Sequence, residues 1–422
     1  MIQVLSGSSP SSIAAGTTYT NLLGGLRETL PTIPVGDVVP VGCRLRNIFF
    51  RLSAAPGTSE SRTFTVLVNE IATAAVVTIA NADTFGMYVG ADLILQTGDY
   101  VHLQCDESAG AMTAGFSRYG YEIETVGTTT CVFFGNSAAA LNSYPMKFGG
   151  VLNQIAKWDR DIDGGPYDEI NVMPIDGIVS GYRLRLKRGL PVGFLSGTFT
   201  IYKSTDIGAT WVAQDGTGGT PDTRLILSGA ATESQDSASF SLLVQRGDLL
   251  YMQWDCVDAD GAQWGCSMAT LFTSSVAGQW PYCGEPSTLS GSTTSYNAIF
   301  APHSFGWSGT DGGRQMSEGG VNNFSLAKFI LYLHDSPGTG DTRIFETYLD
   351  GTPQDLAITL SNSDQLGEDV IHRVPVAFGD TFGIKATATG SPVTSKISWG
   401  YVIGQPPVIG PYMVHHFPRE TP

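Results

Sequence analysis

The sequence predicts an all-β protein built as three tandem antiparallel β-sandwich (jelly-roll-like) domains. Three observations lead there. The 422 residues include 51 glycines and 22 prolines but only 15% charged residues, too few of the Glu, Lys and Arg that normally cover surface helices. Short runs such as Arg62-Thr63-Phe64-Thr65-Val66-Leu67 alternate polar and apolar residues, the period of two that marks a strand with one buried face. The third observation is that the chain repeats itself.

The repeat sets the domain organisation. Leu45-Arg46-Asn47-Ile48-Phe49-Phe50-Arg51-Leu52 runs into Pro56-Gly57, and Leu326-Ala327-Lys328-Phe329-Ile330-Leu331-Tyr332-Leu333 runs into Pro337-Gly338 at an offset of 281. Gly98-Asp99 recurs at Gly379-Asp380 with the same offset of 281. Tyr119-Gly120-Tyr121 is echoed by Trp399-Gly400-Tyr401 with a slip of one residue. A middle copy is more diverged. Tyr182-Arg183-Leu184-Arg185-Leu186-Lys187 leads into Pro191-Val192-Gly193, Gly197-Thr198-Phe199-Thr200-Ile201-Tyr202 echoes the first copy, and Gly247-Asp248 supplies the third Gly-Asp pair. Gly193 lies 136 positions after Gly57 but Gly247 lies 149 after Gly98, so this copy has gained 13 residues. The Gly-rich stretch Asp215 to Asp222 is the loop expected to hold them, since loops tolerate insertion. The predicted domains are 1–127, 128–285 (diverged, with insertions) and 286–422 with a C-terminal tail, each a comfortable size for one core. Gly accepts positive φ and Asp bonds its own backbone, so the Gly-Asp pairs read as the tight turn before an interior strand.

Charge excludes some partners. With 23 basic against 39 acidic residues the net is −16, which argues against nucleic acid and against an anionic membrane surface. No apolar run approaches the roughly 18 residues of a membrane helix. Met1-Ile2-Gln3-Val4-Leu5-Ser6-Gly7 has no basic region and no apolar core of signal-peptide length, so the expectation is synthesis in a cytoplasm. The six cysteines contain no CxxC and read as buried free thiols, with Cys256 and Cys266 the pair to examine first for a bridge.

The search for chemistry returns little. There is no GxSxG, HExxH, P-loop or helix-opening GxGxxG. His102, His303, His334, His372, His415 and His416 are dispersed, none spaced with a Ser or Cys as in a nucleophile site. No catalytic residue is expected, and two carboxylates facing a groove remain the one enzymatic alternative. Asp159, Asp161 and Asp163, followed by Gly164, space three carboxylates like the first half of a calcium loop. Ile170 stands where the bidentate Glu would be and Glu169 is one place early, so the competing reading is a solvated acidic loop. Asp258 and Asp260 make a weaker acidic stretch. Trp254 alternates within a strand and is expected in the core, whereas Trp158, Trp211 and Trp307 sit in loops and are expected at domain or subunit contacts, a sugar platform being the alternative.

The run from Leu45 through Pro56-Gly57, Arg62-Thr63-Phe64-Thr65-Val66 and Thr78-Ile79 to Gly98-Asp99 resembles small β-sandwich domains encoded by tailed bacteriophages. The match is good over 41–105, fair over 324–402 and poor in the middle copy. Such domains serve as fibre, decoration or adhesin modules of virion surface proteins. The resemblance implies a non-enzymatic structural protein of the virion surface, assembled in the host cytoplasm and decorating a capsid. Its expected partners are the major capsid protein or tail proteins, in a homo-oligomer with a trimer favoured; three tandem sandwiches in one chain could themselves mimic a trimer. The alternatives are a tail-associated receptor-binding protein gripping host glycans and a glycan-active β-sandwich enzyme.

Overall fold

Six antiparallel sheets, two from each third of the chain, hold the named strands. The computed structural model describes residues 1–7, 13, 16–23, 36–88, 90–108, 116–142, 147–149, 152, 170–186, 196–228, 234–236, 240–257, 263–289, 291, 294–299, 307–309, 317–319 and 322–405. In the first unit one sheet orders Ile2–Gly7, Phe116–Thr125, Cys43–Leu52 and Phe85–Tyr88, with Leu93–Leu95 also on Cys43–Leu52. The facing sheet orders Thr18–Thr20, Tyr100–Glu107, Gly57–Val68 and Ile71–Asn81, with Asp37–Val38 also on Tyr100–Glu107. Counting interrupted strands once, eight successive strands take the orders 1-8-3-6 and 2-7-4-5. That is the jelly roll, and the second and third units repeat it.

Local chemistry explains the repeat. Gly98, Gly247 and Gly379 all take φ near +90° (92°, 88° and 85°), and the following Asp side chains accept from the amides of Gln96, Gln245 and Ala377 at 2.7, 2.8 and 2.7 Å. Each turn feeds an interior strand: Tyr100–Glu107, Leu249–Val257 or Thr381–Thr389. Gly57–Val68 and Gly338–Leu349 show the same burial pattern residue for residue. Both continue through two-residue hairpins of positive φ, Asn69-Glu70 and Asp350-Gly351, whose twist suits paired strands. In the middle unit the equivalent hairpin is replaced by a longer excursion between Ser196–Ser204 and Leu225–Ser228. It carries the short strand Val212–Ala213 and the single-turn helix Thr217–Gly219, with Asp215 bridging Asp222, so the extra residues lie where the glycines predicted.

Aromatic contacts fill each interior: Phe50 on Phe64 at 4.7 Å, Phe199 on Trp254 at 4.3 Å and Phe329 on Tyr401 at 4.4 Å. Trp254 is fully buried, as its alternation predicts, and Trp280 and Trp399 are equally so.

The three units touch head to tail. Asp37–Val38 of the first lies on Gln263–Ser274, Thr130–Asn142 and Gly177–Leu186 of the second. Asn171–Val172 of the second lies on Ser395–Gly404, Gln279–Leu289 and Phe324–Leu333 of the third. Ser317–Glu318 of the third lies on Ile2–Gly7 and Phe116–Thr125 of the first. Val38, Val172 and Glu318 are equivalent, since they pair with Tyr100, Leu249 and Thr381 at the same step past each Gly-Asp turn. The same contact is therefore made three times and closes on itself, a ring with approximate threefold symmetry inside one chain.

Candidate functional site

Among the described residues the buried polar chemistry concentrates where the units meet. At the seam between the third and first units, Glu318 is fully buried. Arg51 donates to both its carboxylate oxygens at 2.7 Å, and Arg118 donates to one at 3.3 Å. Bidentate geometry of this kind is among the strongest side-chain pairings. The hydrogen bonds to Glu318 hold the Arg51 guanidinium above its ordinary pKa, outweighing the opposite pull of burial. Nearby, Glu122 of the first unit is 1% exposed and accepts from the Asn322 amide and side chain at 2.9 and 2.7 Å, and from Asn47 at 2.8 Å. Phe378 packs edge-on against Phe49 and Phe85, with ring centres at 6.4 and 5.9 Å.

The other two seams use different chemistry at the same places. Between the first and second units, Arg185 lies 3.4 Å over the Tyr100 ring, and the Val38 amide donates to Ser267 Oγ at 3.2 Å. Ser267 Oγ in turn donates to the Gly36 carbonyl at 2.7 Å. Between the second and third units, Ile170, Val172, Leu249, Ile330 and Tyr332 form an apolar cluster with Trp211 against its edge. Trp211 comes from the excursion peculiar to the middle unit, so that loop reaches the seam. Gly400 is needed there, because a Cβ would stand 2.7 Å from the Val172 carbonyl oxygen. Cys283 donates its thiol to the same carbonyl at 3.4 Å.

The first strands of the first and second units also meet. Gln3 exchanges two hydrogen bonds with Val132, its amide nitrogen donating at 3.3 Å and its oxygen accepting at 2.8 Å. Val4 joins the apolar cluster formed by the second and third units.

No group of three or more potential metal ligands occurs among the described residues. Asp159, Asp161 and Asp163 lie outside the described residues, as do Trp158, Asp258, Asp260, His303, His415 and His416 and the side chains of Cys256 and Cys266. His102 is buried in a strand, and His372 is paired with Asp369 at 2.8 Å on an exposed strand. Trp307 packs on Phe345 and Trp399 inside the third unit. Cys43, Cys105, Cys131 and Cys283 are buried free thiols, and burial pushes the Cys43 thiol up to about 12, out of the reactive range. One open cavity of 680 Å³ is lined by Met1, Arg44, Ile94, Glu124 and Val126 among others. Another of 550 Å³, beside the middle-unit excursion, includes Lys203, Asp206, Gln214 and Leu243.

The residues that sequence reasoning passed over are the seam residues. Arg51 lies within the repeated run Leu45–Leu52, but its partner Glu318 falls outside the landmarks by which the copies align in sequence.

No protein-family model matches the chain, and no curated protein does. Among solved structures, the infectious bursal disease virus VP2 subviral particle aligns over 96% of this chain and 81% of that one, at 8% identity and a TM-score of 0.19. An overlap that loose carries no weight for function.

Proposed function

We propose that this chain is a non-enzymatic structural protein of a bacteriophage particle, set on the capsid surface as a decoration or cement protein. The observation that carries the reading is the closed ring of three jelly rolls. One polypeptide reproduces the outline of a trimer, a shape suited to a local threefold position between capsomers. There it would stabilise the shell by adding buried contact that exists only in the assembled state. The resemblance of residues 41–105 to phage β-sandwich modules supports the virion setting. Seam residues account for the buried carboxylates Glu122 and Glu318 as structure, each fully engaged by Arg or amide donors.

The test is on particles. Cryo-electron microscopy of virions should place one chain, not three, at each threefold position. Particles stripped of the protein should adsorb to cells normally but lose resistance to heat and osmotic shock. Stripped particles that remain robust and fail to adsorb would favour receptor binding instead. Release of reducing sugar from host polysaccharide, abolished by a single carboxylate substitution, would favour an enzyme.

A further inference from the structure

Two of the seams are held by short linkers. Thr130 follows Thr125 across the first junction and Gln279 follows Ser274 across the second, so those neighbours cannot drift apart. The seam between the third and first units has no such tether. Among the described residues it is also the seam with the most buried charge: Glu318 between Arg51 and Arg118, and Glu122 between Asn47 and Asn322. A head-to-tail contact either closes a ring or propagates from molecule to molecule. Something has to select closure.

We infer that this seam is a docking surface that fits the third unit of a second copy of the chain as well as its own, and that the Glu318–Arg51–Arg118 cluster holds the chain in its closed form. Charge complementarity fixes the occupant. Glu318 placed on the equivalent seat of a third unit would meet Ile330 and Tyr332 and be a buried carboxylate without a cation. Val172 and Leu249 placed on the first unit's seat would cover Arg51 and Arg118 with no carboxylate to receive them. A third unit therefore suits a first unit, and proximity within one chain makes its own first unit the preferred one. When the intramolecular pairing is spoiled, the exposed seat and the exposed Ser317–Glu318 edge remain complementary to undamaged counterparts on other copies. This inference concerns the isolated chain and does not depend on the virion reading.

The experiment uses the full-length protein in three forms, Glu318→Arg, Arg51→Glu and the double charge swap, with molar mass measured by light scattering after gel filtration. The wild type should run as one chain. Mixing the two single variants should give a 1:1 species of at least twice the chain mass. In that species the arginine introduced by Glu318→Arg in one copy faces the glutamate introduced by Arg51→Glu in the other. The remaining seam pairs an unaltered Glu318 with an unaltered Arg51. The double variant retains two guanidiniums and one carboxylate in the seam and should return to one-chain mass. Because a charge reversal can simply impair folding, Glu318→Gln is the milder probe. In it, exchange of the Asn322 amide, which donates to Glu122, should speed by roughly tenfold or more while the Ile330 strand keeps its protection. The inference is overturned if the mixed variants stay at one-chain mass, if the double swap fails to restore the wild-type mass, or if Glu318→Gln leaves exchange around 317–322 unchanged.

Discussion

The seam between the third and first units and the seam between the second and third lie at the same place on the same fold, yet the buried heart of one is charged and that of the other apolar. The apolar seam's one ion pair among the described residues, Arg246 with Glu368, lies at its solvent-facing edge. Glu318 and Val172 are equivalent, and so are Arg51 and Tyr332. In the apolar seam Val172 and Leu249 meet Ile330 and Tyr332, gaining the non-directional benefit of leaving water. In the charged seam the same contact is worth something only if the carboxylate and guanidiniums meet in register. The two tethered neighbours need contact but little selectivity. The untethered pair needs selectivity as well, and a buried ion pair supplies it, because a wrong partner leaves an unpaired charge.

The largest effect that would break this comparison is Glu318→Ala. Removing the carboxylate leaves two guanidiniums facing each other, and the seam should lose about 3 kcal/mol, the lower end for a broken buried pair because Arg51 keeps 32% of its side chain exposed. Urea unfolding followed by hydrogen exchange should locate the loss at 116–125 and 317–322 and not at the other seams. Ile330→Ala attacks the apolar seam. It should cost about 2 to 3 kcal/mol, and salt should not change that cost, whereas the Glu318→Ala deficit should shrink as salt weakens the wild-type pair. Arg185→Ala removes the cation over Tyr100 and should cost about 1 to 2 kcal/mol, with Arg185→Lys restoring only part of it.

Two further measurements sharpen the contrast. Combining Glu318→Val with Arg51→Tyr and Arg118→Ser brings the residues of the second-to-third seam, Val172, Tyr332 and Ser398, to the equivalent places of the third-to-first seam. Its stability should match the wild type or exceed it by about 1 kcal/mol, while the preference for a single closed chain weakens. The smallest effect belongs to the exposed pair Asp222 and Arg224 on the middle-unit excursion. The Arg224 hydrogen bonds hold the Asp222 carboxyl down at about 2. Its contribution is therefore present above the unfolded carboxylate pKa and is lost as pH falls towards 2. Because both groups face water, Asp222→Asn should leave the thermal midpoint unchanged within error at pH 7.

Much of the fold was legible in the sequence because it is written in local chemistry. The Gly-Asp pairs announce positive φ and a self-bonded aspartate, and the structure places the turns there. The alternation Thr63-Phe64-Thr65-Val66 announces which face is buried, and Phe64 and Val66 are indeed the buried members. The candidate site was far less legible. Ser317-Glu318 matches Asp37-Val38 only through the strands they pair with, Thr381–Thr389 and Tyr100–Glu107, and the stretches of sequence leading to them differ in length and composition. Trp211 was predicted to serve a domain contact and does so, whereas Trp307, expected alongside it, packs within its own unit. A loop aromatic shows that something must cover it, not what does.

By itself, then, the sequence determined the strands, the turns and the threefold repetition, since each depends on residues within a few positions of one another. Only the tertiary structure decided that the three units close into a ring, and which charges meet when they do. Glu318 and Arg51 are 267 residues apart. Neither residue carries a local preference for the other, and their pairing follows from where three rigid sandwiches bring their surfaces together.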